Sequence, residues 1–214
     1  MVNQPIVAKS NDKIPFSLKV VIGLGNPGKD YEMTRHNFGS LVLYELARDL
    51  GSTLQYDSRY DAYCTKAIYS DREIHLLFPV TYMNLSGSSV AKYIRYIKAG
   101  PENLLVLADD MTLDFGSMRL RASGGTQGHN GLKSIRDTLR TNDFARLGLG
   151  IGTSPLQDKA SFVLAPFVEE ERNQLPKLIA EAVLCTKRLC TEDFDRVARD
   201  INTIKKRNVS PKEG

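Results

Sequence analysis

Apolar residues recur along this chain in two rhythms. Short continuous or alternating runs at residues 19–24, 63–69, 74–78, 103–108, 117–121 and 146–151 predict strands. Between them the spacing turns helical. In 38–50, Leu43, Leu46, Ala47 and Leu50 fall at i, i+3, i+4 and i+7, and Gly51 supplies a stop. In 88–98, Val90, Ile94 and Ile97 share one stripe ahead of Gly100-Pro101. Residues 131–139 predict a basic helix. From 169 to 204 the apolar positions Leu175, Leu178, Ile179, Ala182 and Val183, then Phe194, Val197 and Ile201, keep a helical period. Pro176 and the stretch TEDF predict breaks in it, with Thr191 capping a last helix. A turn at Ser70-Asp71 joins the second and third strands, and Pro79 ends the third.

Strands alternating with helices predict an α/β fold: a single domain with a central mixed β-sheet packed by helices. The expected organisation is a flexible tail over 1–17, one domain over 18–205 and a basic tail over 206–214. No internal repeat or low-complexity segment interrupts it. With 214 residues, 42% of them hydrophobic, the chain can bury a sizeable core. Net charge is +4, which permits a nucleic-acid partner without demanding one. No apolar run is long enough to span a membrane, and the start lacks the apolar region of a secretory signal. Cys64, Cys185 and Cys190 are odd in number and lack CxxC spacing, so they read as reduced thiols on core or helix faces of an intracellular protein. Three widely spaced histidines argue against a metal site. Asn208-Val209-Ser210 is a glycosylation sequon by letters alone.

Chemistry gathers where strands end. GLGNPG (23–28) matches G-x-G-x-x-G after a strand. A dinucleotide site also needs a helix opening at that loop and an acid about 20 residues on, at the end of a second strand. Here the chain stays polar to Phe38, and Arg48-Asp49 lie inside a predicted helix. The glycines are instead expected to bring the backbone close to a ligand while Asn26 points into a cleft. His36, in TRHN (34–37), sits at a loop-to-helix junction, where an imidazole can accept a proton near neutral pH. A structural histidine is the plainer alternative. Asn84, in MNLSG (83–87), ends another strand, with Ser86 placed as a helix cap. Asp109-Asp110 follow LLVLA. Asp110 is read as the carboxylate that orients a histidine ring, and Asp109 as a turn former. The glycine-rich loop 123–130 lacks the ending of a P-loop but can turn several N–H groups toward an anion before His129-Asn130. Lys133, Arg136 and Arg140 then line one helix face; a solvated stripe is the plain reading. One base, one orienting acid and several amides suit water activated against a carbonyl, with the oxyanion held by amide donors.

Taken in order, GLGNPG, TRHN, MNLSG, the Asp110 stretch, GHNGLKSI (128–135) and RLGLGIG (146–152) resemble the bacterial-type peptidyl-tRNA hydrolase family over roughly residues 19–204. Any one is weak; six in order are specific. The resemblance implies a one-domain α/β enzyme that cleaves the ester between a peptide and the 3′ ribose of tRNA, recycling tRNA for translation. It implies catalytic roles for His36, Asp110 and Asn26. Tyr31, Met83, Asn84, His129 and Asn130 would bind substrate, and Arg121 and Arg146 would contact tRNA; the basic stripe with Lys133 and Arg136 offers further phosphate contacts. It implies no metal or other cofactor, and a monomer in the cytoplasm (or a mitochondrion, if the source is eukaryotic) that meets the acceptor stem and 3′ end. Thr126-Gln127 replace the family's usual His-Gly, Gly148 stands where a second arginine is common, and the N-terminal tail is longer. Plant relatives that bind RNA in splicing without hydrolysis are the alternative; His36, Asp110 and the three asparagines weigh against it.

Overall fold

The computed structural model describes residues 16–153 and 158–204. Val20–Gly23 (β1) is buried at every position because it lies near the centre of a seven-stranded sheet. The other strands are Gln55–Asp57 (β2), Ala62–Tyr69 (β3), Arg72–Pro79 (β4), Leu104–Asp110 (β5), Met118–Arg121 (β6) and Ala145–Gly150 (β7). Their order across the sheet is β2-β3-β4-β1-β5-β7-β6. β1 runs parallel to β4 and β5, and β5 parallel to β7; β2, β3 and β6 pair antiparallel at the flanks. Four carboxyl ends therefore open on one edge, where α/β sheets hold their ligands.

Alternation in the central strands divides the core. Val21, Leu105 and Leu107 face a cluster with Phe38, Val42, Leu43 and Leu46 of Phe38–Asp49 (α1). Glu169–Thr191 (α5) and Phe194–Ile204 (α6) complete that layer. Val20, Ile22, Leu104 and Val106 face the other side, against Ser86–Tyr96 (α2) and Asn130–Leu139 (α3). Side chains point to opposite faces every second residue, so a fully buried strand serves both layers.

The predicted α/β sandwich is thus present, with three local differences. α5 runs through Pro176 without a break. Its missing N–H falls on the exposed side, where water can satisfy the freed carbonyl, while Leu175 and Leu178 anchor the buried side. Thr191 is the last residue of α5 rather than a cap; Asp193 caps α6 by accepting the Arg196 N–H at 3.0 Å. The pattern also missed the edge strand β2 and the helix Lys159–Leu164 (α4), which Asp158 caps through the Ala160 and Ser161 amides. The cysteines are free; burial pushes Cys185 up to about 12 and Cys190 up to about 11, so both are poor nucleophiles. The expected tails lie outside the described residues except at 16–17, which join the fold: Phe16 packs on Phe194 with ring centroids 5.0 Å apart, and the Ser17 carbonyl accepts from Asn103.

Gly39 sets how closely α1 meets the sheet. A Cβ there would lie 2.2 Å from the Leu107 carbonyl oxygen and 2.9 Å from that of Leu24. Gly39→Ala must push the start of α1 off the strand ends, an overpacking cost of about 1–3 kcal/mol or more. Urea unfolding should show a lower midpoint; an unchanged midpoint would show that the contact relaxes freely.

Candidate active site

Gly23 and Gly25 of GLGNPG serve helix packing. A Cβ on Gly23 would meet the Leu43 Cβ at 2.6 Å, and one on Gly25 the Ser40 Oγ at 2.6 Å, so α1 rests directly on the end of β1. Gly28 differs: it turns the chain at a φ of 107°, and a Cβ there would meet nothing nearer than 3.9 Å. Asn37 fixes the loop. Its Oδ1 accepts the Asn26 N–H at 2.8 Å, and its Nδ2 donates to the Asn26 carbonyl at 2.9 Å. That buried amide pins the Asn26 backbone and leaves the Asn26 side chain free of this task. Asn37 follows His36 in the 3₁₀ turn Arg35–Asn37, so one turn holds both the loop and the imidazole.

The His36 ring meets Asp109, not Asp110. His36 Nδ1 lies 2.8 Å from Asp109 Oδ1. Asp110 turns its Oδ1 to the Thr112 N–H and hydroxyl, at 2.8 and 2.6 Å, and so forms the turn. The two expected roles are exchanged because consecutive strand residues point to opposite faces. Asp109 continues the face of Leu105 and Leu107, against which α1 and its preceding turn pack.

His129 completes the cluster. Its Nε2 lies 3.0 Å from the same Asp109 Oδ1, and its Nδ1 accepts the N–H groups of Gly131 and Leu132 at 3.0 and 3.3 Å. With Nδ1 accepting, the proton resides on Nε2, and His129 donates to Asp109. His36 then donates its Nδ1–H to the same oxygen and keeps the Nε2 lone pair. The side chains are 9% (His36), 3% (Asp109) and 5% (His129) exposed, which strengthens each bond. Burial alone would raise the Asp109 pKa. The attraction of His129 and then His36, with their hydrogen bonds, outweighs it and holds the carboxyl well below the usual range. The carboxylate is therefore ionised wherever the histidines need it. His36, Asp109 and His129 are also the one group among the described residues whose ligating atoms lie close enough to hold a metal ion. A metal would have to displace both ring protons, and the two hydrogen bonds account for the spacing without it.

His36, Asp109 and His129 line a cavity of about 240 Å³ with Asp110, Arg121, Asn130 and Arg146. Arg119 and Lys159 also line it. Neither stood out in sequence: Arg119 sits in a plain strand, and Lys159 in a helix the pattern missed. Arg146 differs from expectation. It is buried, its guanidinium donates to the Gly124 and Gly125 carbonyls, and its Nε has no partner. It fastens the glycine loop while also lining the cavity. Burial, and then the charge of Arg121, depress its pKa, while Asp110 opposes them. Gly148 is next to this cluster; a Cβ there would lie 3.0 Å from Asp110 Oδ2. Lys133 and Arg136 lie outside the cavity, on α3, where Arg136 pairs with neighbouring Asp137. Tyr31 and Asn84 are exposed outside it, and Met83 is buried. The 3₁₀ turn Met83–Leu85 packs on α3, whose Gly131 has room for no Cβ beside the Met83 sulfur. Asn84 is thereby carried beside the helix that begins at Asn130.

Arg35 was not singled out by the sequence. Buried beside His36, it donates to the Pro166 carbonyl at 2.8 Å and to Glu171 at 2.6 Å, and lies 4.7 Å from the Phe162 ring centroid. Its backbone N–H bonds Ala165, and Thr34 bridges to Pro166. The segment after α4 is thus stapled to the His36 turn.

A family model described as peptidyl-tRNA hydrolase matches residues 20–210. The peptidyl-tRNA hydrolase of Thermodesulfovibrio yellowstonii is 42% identical over 166 residues, covering 77% of this chain and 88% of that one. That of Cytophaga hutchinsonii is 37% identical over 187 residues, covering 87% and 98%. The crystal structure of peptidyl-tRNA hydrolase from Acinetobacter baumannii superposes with a TM-score of 0.84 at 31% identity, covering 89% of this chain and 97% of that one.

Since Arg146 holds the loop at Gly124 and Gly125, Arg146→Ala should leave the far-ultraviolet circular dichroism intact and speed protease cleavage within 123–128. Unchanged protection would show that other contacts hold the loop.

Proposed function

The chain belongs to the peptidyl-tRNA hydrolase family, and we propose that its His36–Asp109 pair drives ester hydrolysis on peptidyl-tRNA. The observation that carries this reading is the hydrogen-bond order at Asp109 Oδ1, which leaves His36 a basic Nε2 at the edge of the cavity. A water bound there gives its proton to Nε2 as its oxygen attacks the ester carbonyl carbon. Asp109 steadies the imidazolium that forms. When the tetrahedral intermediate collapses, the bond to the ribose oxygen breaks and that oxygen takes the proton from His36. The products are a free peptide carboxyl group and tRNA with its terminal hydroxyl restored. An ester needs less help with its leaving group than an amide, so one imidazole suffices.

The amides of Asn26, Asn84 and Asn130 are assigned to the water, the carbonyl oxygen and the peptide, and Tyr31 and Met83 to the cleft wall. Hydrogen bonds to the peptide's own amide would separate peptidyl from aminoacyl esters. Asp109 replaces Asp110 as orienting acid, and His129 supports that acid. For tRNA, Arg121 is joined by Arg119 and Lys159 at the cavity, with Lys133 and Arg136 further out. These cations suit the phosphates of the 3′ end and acceptor stem. The chain would act as a cytoplasmic monomer. The RNA-binding alternative without hydrolysis gains no support, since a mere binder has no use for a buried, tautomer-fixed imidazole.

On N-acetyl-aminoacyl-tRNA, His36→Ala should lose turnover by about 10²–10⁴-fold and keep tRNA binding. Asp109→Asn should lose about 10³-fold or more, and Asp110→Asn far less. The reverse order for the two aspartates would return the orienting role to Asp110. Arg121→Ala should raise KM more than it lowers kcat, and reduce the salt dependence of binding. An equal fall in kcat would place Arg121 in the chemistry instead.

A further inference from the structure

A second concavity is lined by both residues of the Asn26–Asn37 clamp. It has a volume of about 820 Å³ and differs in character from the cationic cavity. Its wall is a chain of rings: Tyr56 and Tyr63 have centroids 5.7 Å apart, Tyr63 stacks on Phe78 at 6.3 Å, and Tyr44 meets Phe78 edge-on at 5.7 Å. Three of these rings stay open to solvent: Tyr44 is 44%, Tyr56 54% and Tyr63 37% exposed. Met33, also half-exposed, Leu41 and Val80 extend the apolar lining. Aromatic side chains left open together in one groove suit a ligand with apolar groups of its own.

We propose that this groove receives the peptide half of the substrate, upstream of the esterified residue, and prefers large uncharged side chains there. The inference rests on the hydrolase reading above. The scissile ester divides the substrate into a polyanion and a peptide. Arg119, Arg121 and Lys159 collect on the His36 side and claim the polyanion. Beyond Asn26 and Asn37 the lining carries only Lys29 and Glu32, which offset each other, so it offers phosphates no net attraction. Continuity favours the peptide too. Asn37 follows His36 in the chain, and it and Asn26 line the groove, so a chain leaving the ester past the amides runs onto the rings. The Asn26 side-chain amide, which the clamp leaves unused, and the tyrosine hydroxyls can meet an extended peptide backbone, while the ring faces take its side chains.

The test compares N-acetyl-Phe-Ala-tRNA with N-acetyl-Asp-Ala-tRNA, which differ only upstream of the ester. Wild-type protein should favour the Phe substrate in kcat/KM by about 10-fold or more, the worth of burying one aromatic side chain. Tyr63→Ala and Tyr56→Ala should each collapse that ratio toward one, and Tyr63→Phe, which keeps the ring, should retain it. Equal rates on the two substrates in wild type, or an undiminished ratio in both alanine variants, would overturn the proposal and leave the hydrolase reading standing. Loss of affinity for deacylated tRNA in the alanine variants would also overturn it, by giving the groove to nucleotides. Failure of wild type to cleave either substrate would instead strike the hydrolase reading.

Discussion

One oxygen atom organises this site. Asp109 Oδ1 accepts hydrogen bonds from His36 and His129, and both rings depend on it for orientation. The arrangement is stable only because each donor is fixed elsewhere. Amides at the start of α3 hold Nδ1 of His129, and the 3₁₀ turn, locked by the Asn37 clamp and by Arg35, holds His36. A buried carboxylate with a single weak partner would be costly; two ring N–H groups meet most of its demand. Helices on opposite faces of the sheet each contribute one imidazole, so the core layers and the chemistry share one anchor.

Much of this was legible in the sequence because it rests on local rules. Apolar periodicity marked β1, β4, β5, α1 and α2 to within about two residues, the usual reach of pattern reading. The motif residues gathered at strand ends for the reason α/β sheets bind ligands there. What was illegible depended on facing and on distant partners. Asp109 and Asp110 are chemically identical neighbours, and only strand alternation decides which one meets a histidine. Arg146 reads as a surface cation until the loop at Gly124 and Gly125 folds over it. Arg35 finds Glu171 across a separation of 136 residues, with no trace in the local pattern. Pro176 invited a break that tertiary anchoring by Leu175 and Leu178 overrode.

The two concavities divide the labour by charge. The smaller holds His36 and most of the nearby cations; the larger is aromatic and nearly neutral. The Asn26 loop stands at their boundary. Its conformation is maintained by a single side-chain amide, so binding on either side meets a surface that is already ordered, and little of the binding free energy goes into arranging it.

The ladder of β5 carries a further consequence. Asp109 lies opposite Leu149 and Asp110 opposite Gly150, so the strand's register on β7 chooses which carboxylate the imidazoles meet. A deletion of one residue at the start of β5 would turn every later side chain over and offer Asp110 in place of Asp109, whereas an insertion there would offer Ala108. Either would also send Leu105 and Leu107 to the wrong layer. A change in the length of this strand therefore acts twice, through the core layers and through the partner that His36 and His129 meet. The number of residues ahead of Asp109 in this strand is thereby held by two separate demands at once.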